Sequence, residues 1–269
     1  MMPLNLFLVR HGESEGNIAT KRSRKGDNSL HTPEYLARHS SSWRLTDKGI
    51  EQAKTAGYWI KEHFYGGEFQ AHYVSAYLRA METAAHFDLP NAQWRMESHL
   101  CERNWGDMDV MTDKERLRLF SRNLDRRDAE SFFWRPPNGE SIADVCATRV
   151  YRHISTLHRL PSTANVIMVL HGELMWAFRA TLERMSPAKF AELDASTDSF
   201  DRIHNCQVIQ YSRRDPVTNE TASCYKWMRS VCPSELSKSR NTWENIQYFK
   251  YTNVDLHALV ANTTRLISG

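Results

Sequence analysis

No stretch of this 269-residue chain stays apolar for long. The longest wholly aliphatic run, Val166 to Leu170, is far short of the roughly 20 residues that cross a bilayer. Neither sign of charge dominates: 35 Lys and Arg face 32 Asp and Glu, a net charge of +3, which is too even for a nucleic-acid footprint. Cysteine is sparse. Cys101, Cys146, Cys206, Cys224 and Cys232 are odd in number, scattered and free of any CxxC pair. That pattern argues against a disulfide framework and structural zinc, and sets the expectation of a reducing, cytoplasmic setting. The opening MMPLNLFLVR lacks the basic residues that precede the apolar part of a secretion signal, so it reads as a first strand. Internal repeats and low-complexity tracts are lacking too. What remains, 41% hydrophobic and 25% charged, suffices for a sizeable core in one domain, with or without an inserted lobe, and excludes a disordered chain.

Two segments, Leu4 to Val9 and Asn165 to Leu170, are β-branched and aliphatic without polar alternation, as strands covered on both faces by helices are. A helix is expected from Thr46 as N-cap to a stop at Gly66-Gly67. A short strand, His72 to Ser75, leads into a helix carrying Arg79 that Pro90 closes. Ile142, Val145, Val150, Ile154 and Leu157 keep helical spacing between Ser141 and Leu160. Val208 to Tyr211 and Ala222 to Met228 read as a hairpin about a turn at Asp215-Pro216. Strands alternating with helices predict a three-layer α/β/α sandwich with a mainly parallel central sheet. Between Asp107 and Arg135, seven basic and seven acidic residues suggest a solvated helical insertion. The expected organisation is one domain over 1–269, with a cap insertion at about 107–140 and a polar extension at about 233–269.

Four stretches share one chemical theme. Arg10-His11-Gly12-Glu13-Ser14-Glu15-Gly16-Asn17 follows the first buried strand, and His171-Gly172-Glu173 follows the other, where open α/β sheets place ligands. Arg79 lies in the first turn of a helix, at the positive end of its dipole. Leu100-Cys101-Glu102-Arg103-Asn104-Trp105-Gly106 supplies a carboxylate beside an aromatic ring that would shield it and raise its pKa. Histidines, arginines and one carboxylate form a rational kit for phosphoryl transfer. A neutral imidazole nitrogen attacks phosphorus, guanidinium forks hold the non-bridging oxygens, and a carboxylic acid protonates the leaving oxygen. No metal-ligand spacing is present, so neither metal nor cofactor is expected. Glu13 and Asp107 stand as spare acids. The basic run Lys21, Arg22, Arg24 and Lys25 reads either as a solvated loop or as the seat of a second anionic group.

RHGESEGN, SAYLRAMETA, LCERNWG and LHGE, in that order over roughly residues 4 to 211, resemble the histidine phosphatase superfamily, which includes the cofactor-dependent phosphoglycerate mutases. The resemblance implies His11 as the phosphorylated nucleophile, with Arg10, Asn17, Arg79 and His171 around the phosphate. It implies Glu102 as proton donor, and Gly172 where a side chain would crowd the phosphate. FFWRPPNGESIADV, residues 132–145, is similar to a stretch of the phosphatase-type members. Only 69 residues separate Glu102 from His171, less than in the glycolytic mutases. The expected activity is therefore hydrolysis of a small phosphorylated substrate. A mutase-type phosphotransferase and a catalytically silent binding module are the alternatives, and neither a nucleic-acid partner nor a membrane span is expected.

Overall fold

The computed structural model describes residues 1–64, 68–248, 250–261 and 263–267. β1 (Asn5–Arg10) feeds α1 (Glu15–Ser23). After a short α2 (Pro33–Leu36), α3 (Asp47–His63) leads to β2 (Ala71–Ser75), α4 (Leu78–His86) and β3 (Trp94–Glu97). α5 (Asp113–Ala129) follows, then α6 (Ile142–Val145), which passes through a π-helical turn at Cys146–Val150 into α7 (Tyr151–Leu157). β4 (Asn165–Leu170), α8 (Gly172–Leu182) and α9 (Pro187–Ala195) precede β5 (Val208–Ser212), β6 (Trp227–Val231), β7 (Trp243–Asn245) and α10 (Asn253–Ala261).

The sheet order is β3-β2-β4-β1-β5-β6-β7. β3, β2, β4 and β1 pair in parallel, while β5, β6 and β7 continue the sheet antiparallel. The two-residue period of a strand separates its side chains between two cores. Leu6 and Leu8 of β1 join Met168 and Leu170 of β4 under α6, α7 and α8. Phe7 and Val9 join Ile167 and Val169 under α3 and α4. This is the expected α/β/α layering.

Several local readings hold, and several shift. Thr46 caps α3 by accepting from Gly49 N at 3.1 Å, whereas the expected Gly66-Gly67 stop lies outside the described residues. The 141–160 helix begins at its Ser141 cap but is interrupted by the π-helical turn. The turn at Asp215 forms, its carboxylate accepting from Val217 N at 2.7 Å. The strand after it begins at Trp227 instead of Ala222: Arg213 O accepts from Ala222 N and Ser212 O from Lys226 N, so residues 223–225 bulge out of the ladder, while the buried Arg213 guanidinium donates to the carbonyls of Pro3, Ser162 and Ala222. β3 and β7 were not anticipated. Both are edge strands with half-buried or exposed side chains, so neither carries an apolar run. α5 has no buried residue, as its charge pattern predicts.

One buried histidine has a stability consequence. His153 of α7 is 3% exposed, packs edge-on against Tyr73 at 4.9 Å, and is held down to about 4 by burial, with His99 adding repulsion. The unfolded chain binds a proton at this ring near pH 6.5 and the folded one does not. Its contribution is therefore fully present above pH 6.5 and is lost as pH falls toward 4, by roughly 3 kcal/mol in total. Urea midpoints of His153→Leu are expected to fall less steeply between pH 6.5 and 4.5 than those of the parent protein. An unchanged slope would remove this ring from the account of acid sensitivity.

Candidate active site

Parallel pairing puts Arg10 of β1 opposite Leu170 of β4. The next residues, His11 and His171, thus leave adjacent strands at the same carboxyl end, and their rings meet edge to face at 5.1 Å. His11 is 2% exposed. Its Nδ1 lies 2.7 Å from the Gly12 carbonyl, and because a carbonyl only accepts, Nδ1 carries the proton. Nε2 keeps its lone pair, to which Arg79 Nε donates at 3.1 Å. Burial, reinforced by the Arg79 and Arg10 guanidiniums, holds the ring well below the usual histidine pKa. The neutral form is thereby the favoured form.

Arg79 is fixed from several sides. Its Nη1 donates to the Ser40 carbonyl at 2.6 Å, and the Tyr77 ring lies 4.9 Å from the guanidinium. Thr83, one turn further along α4, donates to the Arg79 carbonyl at 2.6 Å and accepts from Gly12 N at 3.0 Å. That hydroxyl ties the helix carrying Arg79 to the loop carrying His11. Gly12 itself must be glycine, because an added Cβ would stand 2.4 Å from the Gly49 carbonyl oxygen of α3.

Arg10 is anchored by Nη1 on the Ile203 carbonyl at 2.7 Å. Gly172 permits its position: a Cβ there would stand 3.3 Å from Arg10 Nε. The glycine thus leaves room for the Arg10 guanidinium. Asn17 closes a capping box with Ser14, accepting from Ser14 N at 3.2 Å. A residue the sequence reading missed, Asn205, donates to Asn17 Oδ1 at 3.0 Å and to the His11 carbonyl at 3.1 Å. The sequence carries no signal for it beyond its place just before β5.

His171 is wholly buried and lies behind His11, not on the cavity wall. Its Nε2 is 2.8 Å from Ser75 Oγ, which also accepts from Tyr77 N at 3.3 Å. Burial, then Arg79, His11 and Arg10, push its pKa well below the ordinary value. Glu102 is half-buried. Its Oε1 accepts from Arg103 N at 2.9 Å and from Leu174 N, in the first turn of α8, at 3.3 Å. Burial and the neighbouring Glu173 nevertheless raise its pKa, against the pull of the Arg103 amide, Arg79 and Arg10. Glu173 is itself paired with Arg103 at 2.9 Å.

Arg10, His11, Asn17, Arg79, Glu102 and Gly172 face one cavity of about 420 Å³, widened by Trp43, Trp105, Trp176, Arg24 and Arg116. The spare acids do not reach it. Glu13 pairs with Lys48 at 3.7 Å, and Asp107 accepts from Asn138 Nδ2 at 2.9 Å. Trp105 lines the cavity with Glu102, and the Arg103, Arg116 and Arg127 guanidiniums lie against its ring. Among the described residues no cluster of three metal-ligating side chains forms, and no helix is long and apolar enough to cross a membrane.

A cationic hollow at the carboxyl ends of parallel strands, with a neutral imidazole and a carboxyl group facing it, has the chemistry that phosphoryl transfer needs. The chain belongs to the histidine phosphatase superfamily (branch 1), which it matches over residues 6–209. It is 32% identical over 206 residues to a 2,3-bisphosphoglycerate-dependent phosphoglycerate mutase of Bartonella bacilliformis, covering 73% of this chain and 89% of that one. A phosphoglycerate mutase-like protein of Arabidopsis thaliana is 30% identical over 222 residues, 76% of this chain and 65% of that one. Among solved structures, the fold is similar to a putative alpha-ribazole-5'-P phosphatase of Escherichia coli, with a TM-score of 0.59 at 22% identity over 82% and 98% of the two chains. It is also similar to a mycobacterial glucosyl-3-phosphoglycerate phosphatase crystallised with VO3, with a TM-score of 0.60 at 21% identity over 77% and 92%.

The Gly172 contact gives a direct check. Gly172→Ala is expected to weaken inorganic phosphate binding by about tenfold, read by calorimetry, while the melting temperature moves little. Unchanged phosphate affinity would show that Arg10 does not depend on this glycine.

Proposed function

We propose that the protein is a phosphomonoester hydrolase working through a phosphohistidine on His11. One observation carries this reading. His11 lines the anion hollow, and among the described residues the one hydrogen bond to its Nε2 comes from the Arg79 guanidinium, which an incoming phosphate would recruit. When a phosphoryl group enters, Arg79 and Arg10 take its non-bridging oxygens, with the Asn17 amide beside them. Nε2 then attacks phosphorus, forming the P–N bond as the P–O bond to the leaving group breaks. The raised carboxyl of Glu102 gives its proton to the departing oxygen. In the second half, Glu102 takes a proton from water as that water's oxygen attacks phosphorus. The P–N bond breaks and neutral His11 returns with inorganic phosphate released. His171 acts from behind, supporting the His11 ring and the charge collected there, and the 107–140 segment serves as a cap over the leaving-group side.

A second reading, mutase-type transfer between positions of a phosphorylated acid, draws on relatives named as mutases. The short interval between Glu102 and His171 favours hydrolysis. Release of phosphate from an aryl phosphate supports the first reading, whereas faster bisphosphoglycerate-dependent interconversion of phosphoglycerates would support the second.

The variants separate the two halves of the reaction. His11→Ala is expected to lose about 10⁴-fold or more in kcat and to form no acid-labile phosphoenzyme. Glu102→Gln should slow alkyl phosphates by about 10²–10⁴-fold and aryl phosphates, whose leaving groups need no proton, far less. Equal losses on both substrates would show that Glu102 is not the acid.

A further inference from the structure

Beside the catalytic hollow lies a second cavity of about 550 Å³, and the two share Arg10, Asn17, Thr20 and Arg24 as a common wall. Its other sides come from Lys21 and Lys25 around the end of α1, Lys48 of α3, and Lys238 from the segment between β6 and β7. The basic run after the first motif is therefore divided by the fold. Arg24 faces both cavities, Lys21 and Lys25 face the second alone, and Arg22 turns away to Asp27 at 3.7 Å.

The charges here do not balance. Six cationic side chains line the cavity against two carboxylates. Both carboxylates are already paired within it, Glu13 with Lys48 at 3.7 Å and Glu235 with Lys238 at 2.6 Å. Among the described residues, no carboxylate forms an ion pair with Lys21, Arg24 or Lys25. Like charges gathered around a hollow repel one another and favour a multiply charged counter-ion. The hollow, about 550 Å³, is of a size for a small molecule. Lys238, Glu235 and the neighbouring Ser234 also lie beyond residue 209, where the family match ends, so this wall belongs to the chain's own C-terminal segment.

We propose that this hollow is a second anion site, taking a small phosphate-bearing molecule between the end of α1 and the Lys238 segment. Arg10 and Asn17 form the partition, so an occupant touches the same two side chains that face the catalytic hollow. Two sources supply such a group: the distal phosphate of a bisphosphorylated substrate, or a separate phosphorylated effector.

The site is tested without turnover, by calorimetric titration of the full chain with methylenediphosphonate. The parent protein is expected to bind two equivalents. Arg79→Ala should keep the second site and lose the first, while Lys21→Glu/Lys25→Glu should keep the first and weaken the second by about tenfold or more. Binding of a single equivalent that vanishes in Arg79→Ala would overturn the proposal, as would an Lys21→Glu/Lys25→Glu protein that still binds two with unchanged affinity. The occupant's source is read from kinetics, an arm that rests on the hydrolase reading where the titration does not. If the distal phosphate fills the site, the double variant raises KM for a bisphosphate ester about tenfold and leaves that of its monophosphate alone. If an effector fills it, neither KM moves and methylenediphosphonate alters parent kcat but not that of the double variant. A parent protein without turnover would contradict the hydrolase reading and leave the titration result standing.

Discussion

The parallel pairing of β1 with β4 is the constraint from which the site follows. Arg10 opposite Leu170 leaves His11 and His171 no choice but to emerge side by side, although 160 residues separate them in the chain. The strands are held in that register by side chains buried on both faces, so a one-residue slip would exchange the two cores and carry both imidazoles away from the cavity. Several polar groups of the site are tied to this pairing. Thr83 joins α4 to Gly12, Asn205 joins the β5 approach to His11 and Asn17, and Leu174 N at the start of α8 holds Glu102.

Burial then does chemical work. Histidine near neutral pH is ordinarily a mixture of two protonation states, and a protonated ring is no nucleophile. Enclosing His11 between two guanidiniums removes the charged form, while the Gly12 carbonyl removes the wrong tautomer. The same enclosure acts in the opposite sense on Glu102, where lost solvation and Glu173 favour keeping a proton. One desolvated hollow thus shifts the imidazole toward its neutral form and the carboxyl group toward its protonated form, the opposed pair of states that the proposed acid-base chemistry requires.

Much of this was legible in the sequence, because strands buried on both faces advertise themselves and their carboxyl ends are where ligands bind. The α/β/α layers, the turn carrying His11 and the helix start carrying Arg79 all follow from such local signals. What escaped detection depends on distant partners. Asn205 and Ser75 are short polar residues whose meaning arises only when β5 and β2 are laid beside β1 and β4. β3 and β7 are edge strands without an apolar face, and the ladder of β6 begins only at Trp227 because residues 223–225 bulge out between the Arg213–Ala222 and Ser212–Lys226 backbone bonds. The division of Lys21, Arg24 and Lys25 between two hollows is likewise a property of the folded surface.

The central claim is that His11 reacts through Nε2, since Nδ1 is occupied by the Gly12 carbonyl. Nitrogen-15 labelling of histidine, with the reaction quenched during turnover of an aryl phosphate, reads this directly from phosphorus–nitrogen coupling. The account predicts a phosphoramidate at Nε2 of His11. Coupling to Nδ1, or a phosphoryl group on a carboxylate or hydroxyl, would contradict it.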